Sequence, residues 1–210
     1  MFDSLHRQAI VTMLGLQNKM NTKVHPDWIN QGYAWYRAAW IECAELMDHQ
    51  GYKWWKKQQA DVEQVQLEVI DIWHFGMSAK FTPGADIENL ADDIVAELSS
   101  RQPNPSDVLT ATEALAANCL ATKGFSVALF WDLLESAGLD FNQLYKQYVG
   151  KNVLNFFRQD HGYKDGSYIK VWAGQEDNEH LSEIMSELDM ASEDFAGQVY
   201  QALQQRYPTA

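Results

Sequence analysis

The sequence predicts an all-α fold, a helical bundle with a Gly/Tyr/Lys-rich loop region towards its C-terminal end. Three observations predict it. Helical apolar spacing recurs from residue 2 to residue 160, capping and breaking residues separate the repeats, and no alternating strand pattern of useful length interrupts them. At 210 residues, a single domain spanning 1–210 is the expected organisation. Apolar residues form 46% of the chain, with eight Trp among them, which is enough to bury a sizeable core.

The elements follow in order. Residues 2–20 carry Leu5, Ile10, Met13, Leu14 and Leu16 at helical spacing. A second helix covers 34–50, with Gly51 placed to close it. A third runs from about 58 to 79 and stops before Thr82-Pro83-Gly84. Asp86 is placed to cap a fourth helix to residue 100, and Ser106 or Asp107 a fifth to 121, after the break Gln102-Pro103-Asn104-Pro105. Shorter helices are expected at 126–136 and 140–160. The stretch 161–178, with Gly162, Gly166 and Gly174, reads as an ordered loop with a short hairpin around Lys164-Asp165-Gly166. A last helix is expected over 192–206, and the acidic run from 176 to 194, devoid of Lys and Arg, reads as solvated surface.

Composition excludes several classes of function. A formal net charge of -13 repels polynucleotides and anionic lipid surfaces, so neither nucleic acid nor a membrane is an expected partner. No apolar run approaches the ~18–20 residues of a membrane span. The N-terminal residues lack a basic segment followed by an apolar one, so a cytoplasmic location is expected. Cys43 and Cys119 are too few for a disulfide framework and read as small core residues.

The most informative feature is a pair of pairs: Glu42-Cys-Ala-Glu45 on the second helix and Glu68-Val-Ile-Asp71 on the third. Residues three apart share a helix face, and both helices are apolar nearly all round. Carboxylates on buried faces must be neutralised, and dications do so. An all-oxygen set suits Mg2+, or Mn2+, better than Zn2+ or copper, and Mg2+ commonly bridges to substrate phosphates. Solvated surface acids are the plain alternative. A second metal chemistry also competes, because Asp71-Ile-Trp-His74 has the carboxylate-x-x-His spacing of di-iron bundles. Those bundles need the motif twice, and no second copy exists here, so His74 is better placed as part of a pocket wall.

Between the pairs lies Gly51-Tyr-Lys-Trp-Trp-Lys-Lys57, where Lys53 and Lys56 flank Trp54 in a pattern able to hold a base and phosphates, or simply to anchor a helix connection. A second group of cations, Lys151, Arg158, Lys164 and Lys170, stands out in so acidic a chain and suits a triphosphate whose other half is Mg2+.

On these residues the chain resembles the dimeric, all-α dUTP diphosphatases of the all-α nucleotide pyrophosphohydrolase superfamily. The resemblance begins at Leu16-Gln-Asn-Lys-Met-Asn21 and passes through Glu42-Cys-Ala-Glu45, Lys53-Trp-Trp-Lys56 and Glu68-Val-Ile-Asp-Ile-Trp-His-Phe75. It ends with Lys151-Asn152 to Gln159, the Gly162-to-Trp172 run and Glu176-Asp-Asn178. Residues 82–122 carry no shared motif. The resemblance implies Mg2+ on Glu42, Glu45, Glu68 and Asp71, with Glu42 or Glu45 taking a proton from water. It implies uracil recognition by Gln17, Asn21 and Trp54, a sugar packed on Phe75, and phosphates held by Arg158, Lys164 and Lys170 with Tyr168, Asn178 and Asn152 nearby. It further implies a homodimer acting on dUTP, and also on dUDP, to give dUMP. Related enzymes accept dCTP, and an amide can turn either end to a pyrimidine, so uracil against cytosine stays open at this point. A ferritin-like carboxylate protein and a nucleotide-binding regulator without chemistry are the more distant alternatives.

Overall fold

In a computed structural model, which describes residues 4–188 and 194–208, helix makes up 70% of the described residues, and nine α-helices are found among them. They are α1 (Ser4–Val24), α2 (Trp35–Gln50), α3 (Val62–Lys80), α4 (Ile87–Ser100), α5 (Val108–Thr122), α6 (Val127–Ser136), α7 (Phe141–Asp160), α8 (Asp177–Glu187) and α9 (Phe195–Arg206). The only strands among the described residues are β1 (Val171–Trp172) and β2 (Gln175–Glu176), an antiparallel hairpin.

Helix starts are set by capping side chains. Asp61, Asp86, Asp107, Ser126 and Asp140 each accept a hydrogen bond from a backbone N–H of the first turn, and Asp140 forms a full capping box with Gln143. Gly51 closes α2 at φ 86°, a conformation that a side chain would strain. The helix starting at 58 in the sequence reading begins instead at Val62, because Asp61 caps it.

α3 is the central element. It packs on α1, α2, α6 and α7, and its apolar surface (Val65, Val69, Ile70, Ile72, Trp73 and Met77) is buried. Trp73 stacks on Phe130 of α6 with centroids 4.7 Å apart. α2 lies along α3 and α5, which brings the two carboxylate pairs to neighbouring helices. Cys43 and Cys119 are free and buried, as core residues.

The C-terminal region departs from the sequence reading in two places. The hairpin turns at Ala173-Gly174 rather than at Lys164-Asp165-Gly166, which lies in a run of turns. The acidic run is not all solvated surface: residues 177–187 form α8, whose His180, Leu181, Ile184 and Met185 are buried, as is Asp177. The sequence reading weighed the charges of this segment and missed the spacing of its apolar residues. Gly150 lets α8 approach α7, since a Cβ there would sit 2.6 Å from the Met185 sulfur. Of the last expected helix, residues 195–206 are α9, whereas 192 and 193 lie outside the described residues, as do Asp189 and Glu193 of the acidic run and residues 2–3 of the first helix. Phe157, Trp172, Tyr200 and Tyr207 form an aromatic cluster that fixes the hairpin and α9 to α7.

Candidate functional site

A cavity of about 440 Å³ opens between α1, α2, α3 and α7. One end is acidic. Ligand oxygens of Glu42 from α2 and of Glu68 and Asp71 from α3 lie within 4.8 Å of one another. The i, i+3 spacing places Glu68 and Asp71 on one face of α3, and the tight α2–α3 packing presents Glu42 to them. Burial pushes the Glu42 carboxyl up to about 8, helped by its hydrogen bond to Glu68 and the Asp71 charge. Burial likewise pushes Glu68 up to about 7, despite that hydrogen bond. Glu45 faces solvent one turn along α2, outside this group of three, but its charge still raises both neighbours. A cluster that must otherwise hold a proton, offering only oxygen, fits a hard dication.

The other end is amide and aromatic. Gln17 and Asn21 of α1 are one turn apart and buried, at 4% and 8% exposure. Gln17 Nε2 donates to Asn21 Oδ1 (3.2 Å) and to Ser78 Oγ (3.0 Å), and Asn21 Nδ2 donates to Ser78 Oγ (2.9 Å). Gln17 Oε1 accepts from Tyr148 Oη (2.9 Å) and meets His74 Nδ1 at 2.8 Å. Burial pushes His74 down to about 4, so its ring is neutral. His74 lies outside the acidic cluster, which removes the geometry a di-iron reading needs. Trp35 stacks on Phe75 with centroids 6.2 Å apart at 26°, and Trp28 and Tyr33 pack edge-on against Trp35. These four rings line the cavity.

Cations close the third side, on α7. Lys151, 5% exposed, donates to Asp71 Oδ2 (2.8 Å) and to Asn178 Oδ1 (3.2 Å). Arg158 makes a forked pair with Asp177, 2.7 and 2.9 Å, and a hydrogen bond to Asn155 at 3.2 Å. Burial opposes the Arg158 charge, but Asp177 more than offsets it and holds the guanidinium above its ordinary value. Tyr168 donates to the same Asp177 at 2.9 Å.

The structure therefore brings Gln17, Asn21, Glu42, Asp71, His74, Phe75 and Arg158 to one cavity, with Glu68 completing the acidic group. Asn152 is fully buried behind it, near Tyr148. Lys53, Trp54 and Lys56 lie off the cavity on the α2–α3 connector, where Lys53 pairs with Asp48 at 2.6 Å and Trp54 is 90% exposed. Lys164 donates to the Val24 carbonyl at 3.2 Å, and Lys170 pairs with Glu176 on the surface at 2.9 Å. The sequence reading grouped Lys151 with Arg158, Lys164 and Lys170 as cations for a triphosphate; of these four, Lys151 and Arg158 line the cavity. It passed over Trp28, Tyr33 and Trp35, whose only signal was aromatic density in a connector, and over Ser78; Asp177 it took only as part of the acidic run and of Glu176-Asp-Asn178, with no role of its own.

An all-α bundle in which one cavity joins a dication-competent carboxylate group to buried cations and an amide-lined aromatic wall has the build of a nucleotide hydrolase. Residues 9–163 match the family model described as dUTPase, and the chain belongs to that family. Its activity is that of a dUTP diphosphatase, a hydrolase of nucleotide metabolism, and the family uses a divalent metal. No curated protein sequence matches the chain. Among the described residues, no helix is long and apolar enough to cross a membrane.

Proposed function

We propose that the chain, as a single domain acting in a cytoplasmic homodimer, hydrolyses dUTP, and also dUDP, to dUMP with Mg2+, for which Mn2+ can substitute. The observation that supports this most is the convergence of carboxylates, amides, aromatics and cations on one cavity. Glu42, Glu68 and Asp71, with Glu45 beside them, hold the metal. When bound, it neutralises charge developing on the phosphates and acidifies water. Glu42 takes the proton of the attacking water in preference to Glu45, because Glu42 lines the cavity and Glu45 faces solvent.

The remaining residues bind and orient. Asn21, whose amide keeps one N–H and one oxygen lone pair free of internal partners, reads the uracil edge; Gln17 and His74 support it from behind. Phe75 packs on the deoxyribose, where an apolar ring disfavours a 2′-hydroxyl. Lys151 and Arg158 face the phosphates, with Asn152 shaping the wall behind. Lys164, Tyr168, Lys170 and Asn178 complete the phosphate end, and Lys53, Trp54 and Lys56 join from the connector. Release of pyrophosphate from dUTP, dCTP, dTTP and UTP, with and without Mg2+, tests the reading. Metal-dependent release from dUTP far above the others is expected. Equal release from dCTP, or release that survives a chelator, overturns it.

A further inference from the structure

An amide that reads a pyrimidine separates uracil from cytosine only if it cannot rotate by half a turn, because the two bases exchange a donor for an acceptor at N3 and at C4. In this protein a single hydroxyl blocks that rotation. The His74 carbonyl of α3 can only accept, so Ser78, one turn later, commits its lone proton to it at 2.9 Å. The Ser78 oxygen can then only accept from its other neighbours. The two side-chain atoms that meet it, 3.0 Å away on Gln17 and 2.9 Å away on Asn21, must both be nitrogen. That choice turns Asn21 Oδ1 towards Gln17 Nε2 and leaves Gln17 Oε1 to accept from Tyr148 and His74. The Tyr148 hydroxyl also reaches the Met13 carbonyl at 3.1 Å, so its one proton is divided between that carbonyl and Gln17 Oε1, and the orientation of the two amides rests on Ser78. Ser78 is fully buried and does not line the cavity, so it acts through the amides alone.

We propose that Ser78 is a specificity-positioning residue: its hydroxyl locks the Asn21 amide in the orientation whose oxygen meets the N3–H of uracil and whose N–H meets a uracil carbonyl. With sugar and phosphates held at the other ends of the cavity, cytosine in the same place sets its bare N3 against Asn21 Oδ1, two acceptors facing each other. Turning the amide to suit cytosine points Asn21 Oδ1 at the Ser78 oxygen and takes from Gln17 Nε2 its acceptor, leaving buried groups unpaired.

The inference rests on the reading of Asn21 as the base contact, and the two can be separated. The experiment compares kcat/KM for dUTP and dCTP in the parent, Ser78→Ala and Asn21→Ala, with thermal melting as the check on folding. In Ser78→Ala the amides regain their freedom, and the dUTP:dCTP ratio is expected to fall by about tenfold or more. The fall should come from a higher KM for dUTP together with a gain on dCTP. A merely structural loss lowers both substrates in proportion and leaves the ratio standing; that result overturns the proposal. If Ser78→Ala does not yield folded protein, Ser78→Cys, close in volume but a poor hydrogen-bonding partner, is judged by the same ratio. Should Asn21→Ala leave dUTP turnover at the parent level, the base-contact reading itself fails. A loss of dUTP turnover in Asn21→Ala with an unmoved ratio in both Ser78 variants defeats the Ser78 proposal alone.

Discussion

The two ends of the cavity are built on opposite electrostatic plans. At the amide end, Gln17, Asn21, Ser78, His74 and Tyr148 are neutral and held by an internal hydrogen-bond network. At the charged end, Asp71 pairs with Lys151 and Asp177 with Arg158, while burial and mutual crowding raise both Glu42 and Glu68. A neutral, internally hydrogen-bonded network holds one geometry whatever the ionic conditions, which suits a choice between two bases. A cluster of opposed charges answers to pH, to dications and to anions, which suits binding and turning over a triphosphate. On the proposed function, specificity and chemistry are thus separated by the kind of bond that carries them.

The largest expected effect lies at the charged end. Glu42→Ala or Asp71→Ala should lower kcat for dUTP by about a thousandfold or more, the equivalent of about 4 kcal/mol of transition-state stabilisation. The fold should persist: Glu42→Ala relieves like-charge crowding, and in Asp71→Ala the Lys151 ammonium keeps its bond to Asn178 and the nearby Glu68 charge. Circular dichroism alongside turnover checks both halves, and near-normal kinetics in both variants would remove the acidic cluster from the chemistry.

Next in size is Asp177→Ala. It leaves the largely buried Arg158 guanidinium without its partner and should cost about 3 kcal/mol of stability. In a chain this long that is a fall of about 6–12 °C in Tm. Ser78→Ala, at the neutral end, should instead show its main effect in substrate choice. If the two variants exchanged signatures, the division between the ends would be wrong.

The pH response differs between the ends as well. Glu42 and Glu68 have folded values raised to about 8 and about 7, above the ordinary carboxylate value of 4.5. The native state therefore holds more protons than the unfolded chain between about pH 4.5 and 8, and stability falls as pH rises through that window. Melting in a chelator should show Tm declining from pH 6 to 8. Mg2+ should flatten the decline, because a dication takes the proton's place. A Tm that rises over the same range in chelator would contradict the raised values of this pair.

The legibility of these two ends in the sequence follows the same division. The helices and the acidic cluster were legible because local rules set them: apolar spacing, aspartate caps at Asp86 and Asp107, and i, i+3 carboxylates on apolar helices. Ser78 and Tyr148 were not legible. Their importance comes from packing α1 against α3 and α7, and no local pattern marks a buried hydroxyl that fixes a distant amide. Asp177 was visible only as a member of the acidic run and of Glu176-Asp-Asn178; its pairing with Arg158, 19 residues earlier, comes from the fold. The family match stops at residue 163, so the α8 region that supplies this partner lies beyond the matched span. The shift of the hairpin from 164–166 to 171–176 has a similar cause. Aromatic packing of Trp172 on Phe157 and Tyr207 outweighs the turn propensity of Lys164-Asp165-Gly166.

The smallest expected effect on stability belongs to the connector, and it tests whether a third region joins the two ends. Trp54 is 90% exposed, so Trp54→Ala should change stability by no more than about 0.5 kcal/mol. Lys170→Ala should do the same, since its pair with Glu176 is half exposed on both sides. Against that flat background, kinetics become decisive. If the connector closes over the base, Trp54→Ala raises KM for dUTP several-fold, with kcat and Tm nearly unchanged. The indole then contributes stacking that Trp35 and Phe75 do not supply from inside the cavity. An unchanged KM in this variant assigns the aromatic wall to the cavity rings alone and leaves Trp54 outside the site.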